Sequence, residues 1–213
     1  MKKFTLLALL IIAGCITVQA QIKKGSKLLG GGISFGFTES GITPNETEYK
    51  TFSINPSIGF VTKDNQAVGF NLFFSRATTV VSGHPQSDVK MNGYGGGVFL
   101  RRYLPLGKDF YLFGEGQANF SYAQTEQYPS PDVHSKQMQY NGSIVLYPGI
   151  TYSIKNRIHL EAGLNNLLNF TYSRTENKVT TPLTENLSTT SGFNLSANVS
   201  NNSPFSIGFR FVL

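Results

Sequence analysis

The sequence contains very little cysteine and few charged residues, and it has no long apolar segment beyond its N-terminus. Cys15 is the single cysteine among 213 residues, which excludes disulfide bridges and cysteine metal sites from the folded part. Charged side chains make up 14% of the residues, whereas soluble globular domains usually contain about 25%. No run of apolar residues reaches the ~18 that a transmembrane helix needs, which excludes a helical membrane protein.

The N-terminus has the layout of a secretory signal peptide. Lys2 and Lys3 precede an apolar stretch over residues 4–18, and small residues follow it. This pattern predicts a signal peptide over residues 1–20, cleaved between Ala20 and Gln21. The remaining residues, 21–213, form one domain with no linker or second unit.

Cys15 allows a second interpretation of the same segment. Gly14 and Cys15 resemble a lipoprotein processing site, after which Cys15 would become a lipidated first residue. We favour the simpler interpretation, in which Cys15 is one more apolar residue of the signal core, because Val18 and Ala20 form a good cleavage site just downstream.

From residue 28 onward, apolar and small polar residues alternate with a period of two, which is the period of β-strands. Eight segments show this alternation: residues 29–37, 51–60, 68–74, 92–104, 110–122, 140–152, 158–172 and 205–213. Most are longer than the ~5–6 residues of globular strands and match the ~9–11 that cross a bilayer.

The connections between these segments alternate regularly in length. Short turns follow the second, fourth and sixth segments, at residues 63–66, 105–109 and 155–157. Long polar stretches follow the first, third, fifth and seventh, at residues 38–49, 82–91, 125–137 and 174–190. Outer-membrane barrels have this asymmetry, with short periplasmic turns and long extracellular loops. The sequence therefore predicts an all-β fold, an eight-stranded antiparallel up-and-down transmembrane β-barrel with four long extracellular loops.

Alternation alone also fits a soluble barrel whose apolar face points inward. The second face here is Gly, Ser, Asn and Thr with few charges, which suits a crowded interior better than a solvated surface. Aromatic residues near segment ends also fit the girdles of membrane barrels: Tyr49, Phe60, Tyr103, Tyr111, Tyr122, Tyr140, Tyr152 and Tyr172. These features favour a location in the outer membrane of a Gram-negative bacterium.

Three stretches resemble a known family: residues 98–106 (VFLRRYLPL), 113–115 (FGE) and 147–152 (YPGITY). They are similar to the small outer membrane protein beta-barrel domain proteins of Bacteroidota, within the wider OmpA/OmpX-like superfamily. The resemblance covers essentially the whole mature chain, from about Lys27 to Leu213. It implies an eight-stranded barrel whose C-terminal strand is read by the barrel-assembly machinery, although Leu213 stands where an aromatic residue is usual.

Four charged residues share the polar face of their segments: Arg101, Glu115, Glu161 and Arg210. Each lies close along the chain to a short turn or to the C-terminus, so we expect similar heights in the barrel. An isolated buried charge costs several kcal/mol, which predicts an internal Arg–Glu network. Side chains just fill an eight-stranded barrel. We therefore favour a stabilising plug over an ion path or substrate site, and an open porin channel belongs to larger barrels.

Catalysis on such a barrel would require a nucleophile, a histidine base and an acid within mutual reach. His84 and His134 lie in predicted loops of ordinary composition. His159 shares the inward face with Glu161 but has no obvious nucleophile beside it. The three histidines make no metal-ligand set. We therefore expect a protein that is not an enzyme and has neither metal nor cofactor.

The leading functional prediction is a monomeric structural or interaction barrel whose loops bind an unidentified partner. Its expected contacts are outer-membrane lipid, including lipopolysaccharide. The net charge of +6, which falls to about +4 when Lys2 and Lys3 leave with the signal peptide, suits phosphate-rich headgroups. No basic stripe supports nucleic-acid binding. Two alternatives remain open: a conduit or binding protein for a small hydrophobic ligand, and a lipid-modifying enzyme. The conduit requires an apolar cavity between strands, and a pairing of Arg101 with Glu115 in a filled interior would count against it.

Overall fold

The computed structural model describes residues 22–42, 45–81, 88–130, 132–154, 157–164, 167–197 and 205–213. The predicted signal peptide, its cleavage site at Ala20 and Gln21, Cys15 and His84 lie outside these residues. Regular structure in the described part is β-strand, and every strand pair is antiparallel. None of the described residues belongs to a helix long and apolar enough to cross a membrane.

Twelve strands are found in the described residues. In chain order they are β1 (Lys27–Gly30), β2 (Ile33–Ile42), β3 (Asn45–Ile54), β4 (Ser57–Lys63), β5 (Gln66–Val81), β6 (Val89–Pro105), β7 (Phe110–Ser130), β8 (Val133–Ile154), β9 (Ile158–Leu164), β10 (Leu168–Thr180), β11 (Glu185–Ser196) and β12 (Phe205–Val212).

Eight of these strands are joined in a cycle of hydrogen-bonded neighbours. Starting from β8, the pairings run through β7, β6, β5, β4, β1, β12 and β9, and β9 pairs again with β8. The other four strands extend the sheet on one side of this ring: β2 pairs with β3, β3 with β5, β10 with β8, and β11 with β10. The ring has an inside and an outside, and the two faces of each strand are therefore distinct.

The strand count differs from the predicted eight because several predicted segments are interrupted. Gly31 and Gly32 separate β1 from β2, and Asn55 and Pro56 separate β3 from β4. The two breaks lie side by side, since the Asn55 N–H donates to the Gly32 carbonyl oxygen at 2.9 Å. Gly31 has φ +135°, and a Cβ there would lie 2.5 Å from the Asn55 carbonyl oxygen. Only glycine adopts this conformation freely.

The three short turns predicted from the sequence are confirmed. Strands β4 and β5 are separated by Asp64 and Asn65, β6 and β7 by residues 106–109, and β8 and β9 by residues 155–157. Asn65 has φ +61°, a left-handed conformation that asparagine tolerates better than most residues. The beginning of β1 and the end of β12 lie at this side as well, because Lys27 pairs with Phe60 near the β4–β5 turn and the Val212 N–H donates to the Arg157 carbonyl oxygen at 2.8 Å.

The prediction of four long loops is wrong for most of the residues concerned. Only residues 43–44 separate β2 from β3, residues 131–132 separate β7 from β8, and residues 181–184 separate β10 from β11. The strands continue as hairpins with polar residues on both faces. The alternation of apolar and polar residues therefore ends earlier along the chain than the hydrogen-bonded strand pairing does. Opposite charges support these hairpins: Glu126 pairs with Lys136, and Lys178 Nζ lies 2.8 Å from Glu185 Oε1.

The outer face of the ring is apolar and the inner face is polar. On β6, Leu100 is 50% exposed while its neighbour Arg101 is 1% exposed. Aromatic side chains form rows across the outside, such as Phe52, Phe74 and Tyr94, with ring centroids 6.1 and 5.4 Å apart. A soluble protein would bury such residues in a core and expose its charges.

Two residues of the predicted aromatic girdle were placed wrongly. Tyr103 and Tyr111 are 3% and 5% exposed and lie inside the ring, with ring centroids 6.0 Å apart. Their parity explains this, because Tyr103 is two residues from Arg101 and therefore points to the same side. Tyr49, Phe60, Tyr152 and Tyr172 are exposed, as a girdle requires.

Candidate functional site

The centre of the interior holds an ion pair between adjacent strands. Arg101 on β6 and Glu115 on β7 are direct register partners, and Arg101 Nε donates a hydrogen bond to Glu115 Oε2. Both side chains are 2% exposed. Arg101 also reaches across the ring, where its Nη1 donates to Glu161 Oε1 on β9 at 2.6 Å. Strands β6 and β9 are not neighbours in the sheet, so this contact crosses the interior.

Arg210 on β12 completes the arrangement. Its Nε donates to Glu161 Oε1 at 3.1 Å and to Oε2 at 3.3 Å, and its side chain is 9% exposed. The structure thus brings all four predicted residues into one connected set, which we call the charge network: Glu115, Arg101, Glu161 and Arg210. Two arginines balance two glutamates, and each buried ion has a partner of opposite sign, as burial requires.

Several residues that the sequence did not single out hold the charge network in place. Tyr147 Oη donates to Glu115 Oε1 at 2.6 Å, and Gln117 Nε2 donates to the same oxygen at 2.6 Å. The Phe113 ring lies 4.1 Å from the Arg101 guanidinium carbon. These residues satisfy the remaining lone pairs and cover the cation, which lowers the cost of burying the charges. Gln117 and Phe113 share the parity of Glu115 along β7, and Phe113 and Tyr147 also lie in stretches that carry the family resemblance.

An apolar cluster closes the interior at the short-turn side of the charge network. We call it the basal core, and it consists of Ile22, Leu28, Val61, Ala67, Tyr103, Tyr111 and Phe113. The segment before β1 folds over this end, since the Ile22 N–H donates to Asn65 Oδ1 at 3.0 Å and the Asn65 N–H donates to the Ile22 carbonyl oxygen at 3.0 Å. The residues of the basal core are 0–5% exposed, so their side chains pack closely at this end of the ring.

On the other side of the charge network lies a row of uncharged side chains, which we call the amide ladder: Asn71, Gln117 and Asn119. Asn119 Nδ2 donates to Gln117 Oε1 at 3.1 Å, and Asn71 Nδ2 donates to Asn119 Oδ1 at 3.1 Å. An amide side chain both donates and accepts hydrogen bonds, so a row of them gives the interior a polar surface without net charge.

The histidines are not assembled into a catalytic group in the described residues. His159 is 2% exposed and stacks on Tyr111 with ring centroids 5.9 Å apart. Ser153 is its register partner on β8, yet no hydrogen bond joins this hydroxyl to the imidazole, and His159 Nδ1 has no partner in the described structure. His134 stacks on Tyr128 at 4.7 Å, far along the β7–β8 hairpin.

The described residues contain no group of three or more His, Cys, Asp or Glu side chains able to hold a metal ion. The carboxylates of Glu115 and Glu161 already bind arginine side chains, and the residues around them carry amides, hydroxyls and aromatic rings. The interior therefore offers charge-balanced hydrogen bonding rather than a metal-ligand set.

Comparison with known proteins gives little further information. No family model matches the chain, and no curated protein matches it. Among solved structures it is similar to the translocator domain of autotransporter NalP from Neisseria meningitidis, with 14% sequence identity and a TM-score of 0.46. That likeness covers 90% of this chain and 68% of the other, and it is too weak to carry a functional argument. The resemblance to the Bacteroidota family stays a prediction.

Proposed function

We propose that this chain is an integral outer-membrane β-barrel of eight strands without enzymatic activity. In this proposal β1 continues into β2, β3 into β4, β9 into β10 and β11 into β12, so that twelve strands make eight crossings. The cycle of eight neighbouring strands supports it, because every strand of the ring has a partner on both sides, as a bilayer requires. Toward the hairpins the described pairings leave β2 and β11 with one partner each, and the proposal needs these two strands to meet there.

The observation that carries the proposal is the inverted distribution of polarity. Exposed Leu100 stands beside buried Arg101, and the outer face continues with Phe70 and Phe120 at 57% and 59% exposure. Apolar surface of this extent has no stable place in water, since exposed patches on soluble proteins seldom exceed a few hundred Å². Lipid acyl chains are the environment that this surface fits.

The direction of insertion follows from the two ends of the ring. Short turns and the ends of β1 and β12 share one side, and the extended hairpins share the other. We propose that the short-turn side is periplasmic and that the hairpins project from the cell, as in outer-membrane barrels generally. Lipid, including lipopolysaccharide, would surround the monomeric barrel, and strand β12 would carry the contact with the assembly machinery.

We propose that the charge network and the basal core together form a plug, which fills the interior at the short-turn side and stabilises the barrel. The pairing of Arg101 with Glu115 and the closed basal core support this role. A conduit for a small hydrophobic ligand would need an apolar cavity through the interior, whereas the space beside the charge network is bordered by the amide ladder. An apolar recess is present, but most of the residues that line it, such as Phe70, Val98 and Leu100, belong to the outer face. A lipid-modifying enzyme would need a nucleophile bonded to a histidine, and Ser153 and His159 lack that bond.

Cysteine labelling of intact cells tests the proposed orientation. Leu183→Cys places a thiol at the tip of the β10–β11 hairpin, where Leu183 is 94% exposed, and Gly107→Cys places one in the opposite β6–β7 turn, where an added Cβ meets nothing within 4 Å. A membrane-impermeant maleimide should label the first variant on intact cells, and the second only after the outer membrane is disrupted. Recovery of the chain in the soluble periplasmic fraction, or equal labelling of both variants, would refute the proposal.

A further inference from the structure

A cavity of about 600 Å³ occupies the interior on the hairpin side of the charge network. Glu161 and Arg210 line its inner end, and Ser121 and Ser143 line it further along β7 and β8. Its volume falls within the range of about 300–1,000 Å³ that is usual for small-molecule sites. The described side chains thus pack closely at the short-turn end and leave this cavity between them toward the hairpins.

The inner end of the cavity carries a hydrogen-bond donor without an acceptor. Arg210 uses Nε to bind Glu161, while its buried Nη1 has no hydrogen-bond partner in the described structure. The Arg210 side chain is 9% exposed and belongs to the lining of the cavity. A buried unsatisfied donor costs about 1–3 kcal/mol or more when charged, so an acceptor placed in the cavity would relieve that cost.

The acceptor should belong to an uncharged group. Arg101 and Arg210 are already balanced by Glu115 and Glu161, so an added anion would lie near two carboxylates with no free cation to match it. The remaining polar lining is uncharged, with the amide ladder and the hydroxyls of Ser121 and Ser143. Amides and hydroxyls donate and accept equally well, which matches ligand hydroxyl groups rather than ions.

Aromatic rings complete the lining. Phe73 borders the same cavity as the amide ladder and is partly exposed, whereas the rings of Phe99 and Phe113 at its inner end are buried. A sugar ring presents hydroxyls at its edge and apolar C–H groups on its face, so it can bond to the amides while its face covers a phenylalanine. We propose that this cavity binds a neutral polyhydroxylated ligand the size of a mono- or disaccharide, with one hydroxyl accepting from Arg210 Nη1.

The test uses the full chain refolded in dodecylphosphocholine micelles, because sugar-based detergents would compete. The probes are glucose, galactose, maltose and lactose, with glucuronate as a charged comparison and cyclohexanol as an apolar one. Saturation-transfer NMR reports contact with each probe, and the side-chain amide signals of Asn71, Gln117 and Asn119 report its position. At least one neutral sugar should bind with millimolar or better affinity and shift these signals.

A matched pair of variants separates the cavity from the rest of the interior. Asn119→Leu removes an amide from the lining, whereas Asn169→Leu makes the same change on β10, where Asn169 Oδ1 accepts from Thr171 Oγ1 at 3.0 Å and neither residue lines the cavity. We expect binding to weaken roughly tenfold in the first variant and less than about twofold in the second.

Three results would overturn the inference. They are the absence of saturation transfer to any sugar at about 50 mM, tighter binding of glucuronate or cyclohexanol than of the sugars, and an equal loss of sugar affinity in the two variants. The first would mean that the cavity holds water only. None of these results bears on the proposed membrane location, which the labelling of intact cells tests independently.

Discussion

Arg101 and Glu115 lie directly opposite each other on β6 and β7, and the guanidinium of one donates to the carboxylate of the other inside the ring. In the proposed plug, this pair would stabilise the interior only while both partners are present. Each ion is buried at a cost of several kcal/mol, and only the partner's charge and hydrogen bonds offset that cost. Glu161 is equally important, because its carboxylate accepts hydrogen bonds from both Arg101 and Arg210.

Glu161→Gln should therefore be strongly destabilising. The substitution keeps the size of the side chain but leaves two buried arginines facing one glutamate, which should lower the free energy of unfolding by about 3–5 kcal/mol. Denaturant unfolding of the refolded protein in lipid vesicles measures the change. Glu48→Gln is the control, since Glu48 pairs with Lys50 on the surface and should contribute less than about 1 kcal/mol. Equal losses in the two variants would contradict a buried network.

The sequence predicted the inward residues better than the strand ends. A period of two assigns Arg101, Glu115 and Arg210 to one face without any knowledge of contacts, because a strand alternates its side chains strictly. It could not show that Arg101 reaches Glu161, since that contact joins strands that are not neighbours. The hairpins were missed because their residues are polar on both sides, and the break at Gly31 was missed because Gly-rich stretches also occur within continuous strands.

Gly31→Ala should destabilise the barrel. At φ +135° an alanine is strained, and its Cβ would lie 2.5 Å from the Asn55 carbonyl oxygen, so we expect a loss of about 1–3 kcal/mol. Gly114→Ala on β7 is the control, because nothing lies within 4 Å of an added Cβ there, and its effect should stay near about 0.5 kcal/mol. The same unfolding measurement compares them, and a neutral Gly31→Ala would show that the break between β1 and β2 tolerates a side chain.

Comparison of the parent protein with Ser153→Ala tests whether the barrel hydrolyses lipids. Because the Ser153 hydroxyl does not bond to His159, we expect the parent protein and the variant to release no fatty acid from phospholipid or lipopolysaccharide vesicles above the level of empty vesicles. Mass spectrometry of the extracted lipids measures this. Release by the parent protein that disappears in Ser153→Ala would establish an enzyme and contradict the proposed structural role.

A lysine placed on the outer face reports where the bilayer lies. Leu100 pairs with Gly116 about halfway along a crossing of ~9–11 residues, whereas Leu104 pairs with Leu112 close to the short turn. Both are exposed, at 50% and 58%, so in water the two substitutions would be equally mild. In lipid, Leu100→Lys should cost about 2–4 kcal/mol and Leu104→Lys about 0–1 kcal/mol, because the cost of a charge falls from the midplane to the interface. Unfolding in vesicles measures both free energies, and equal small effects would mean that this apolar surface does not contact acyl chains.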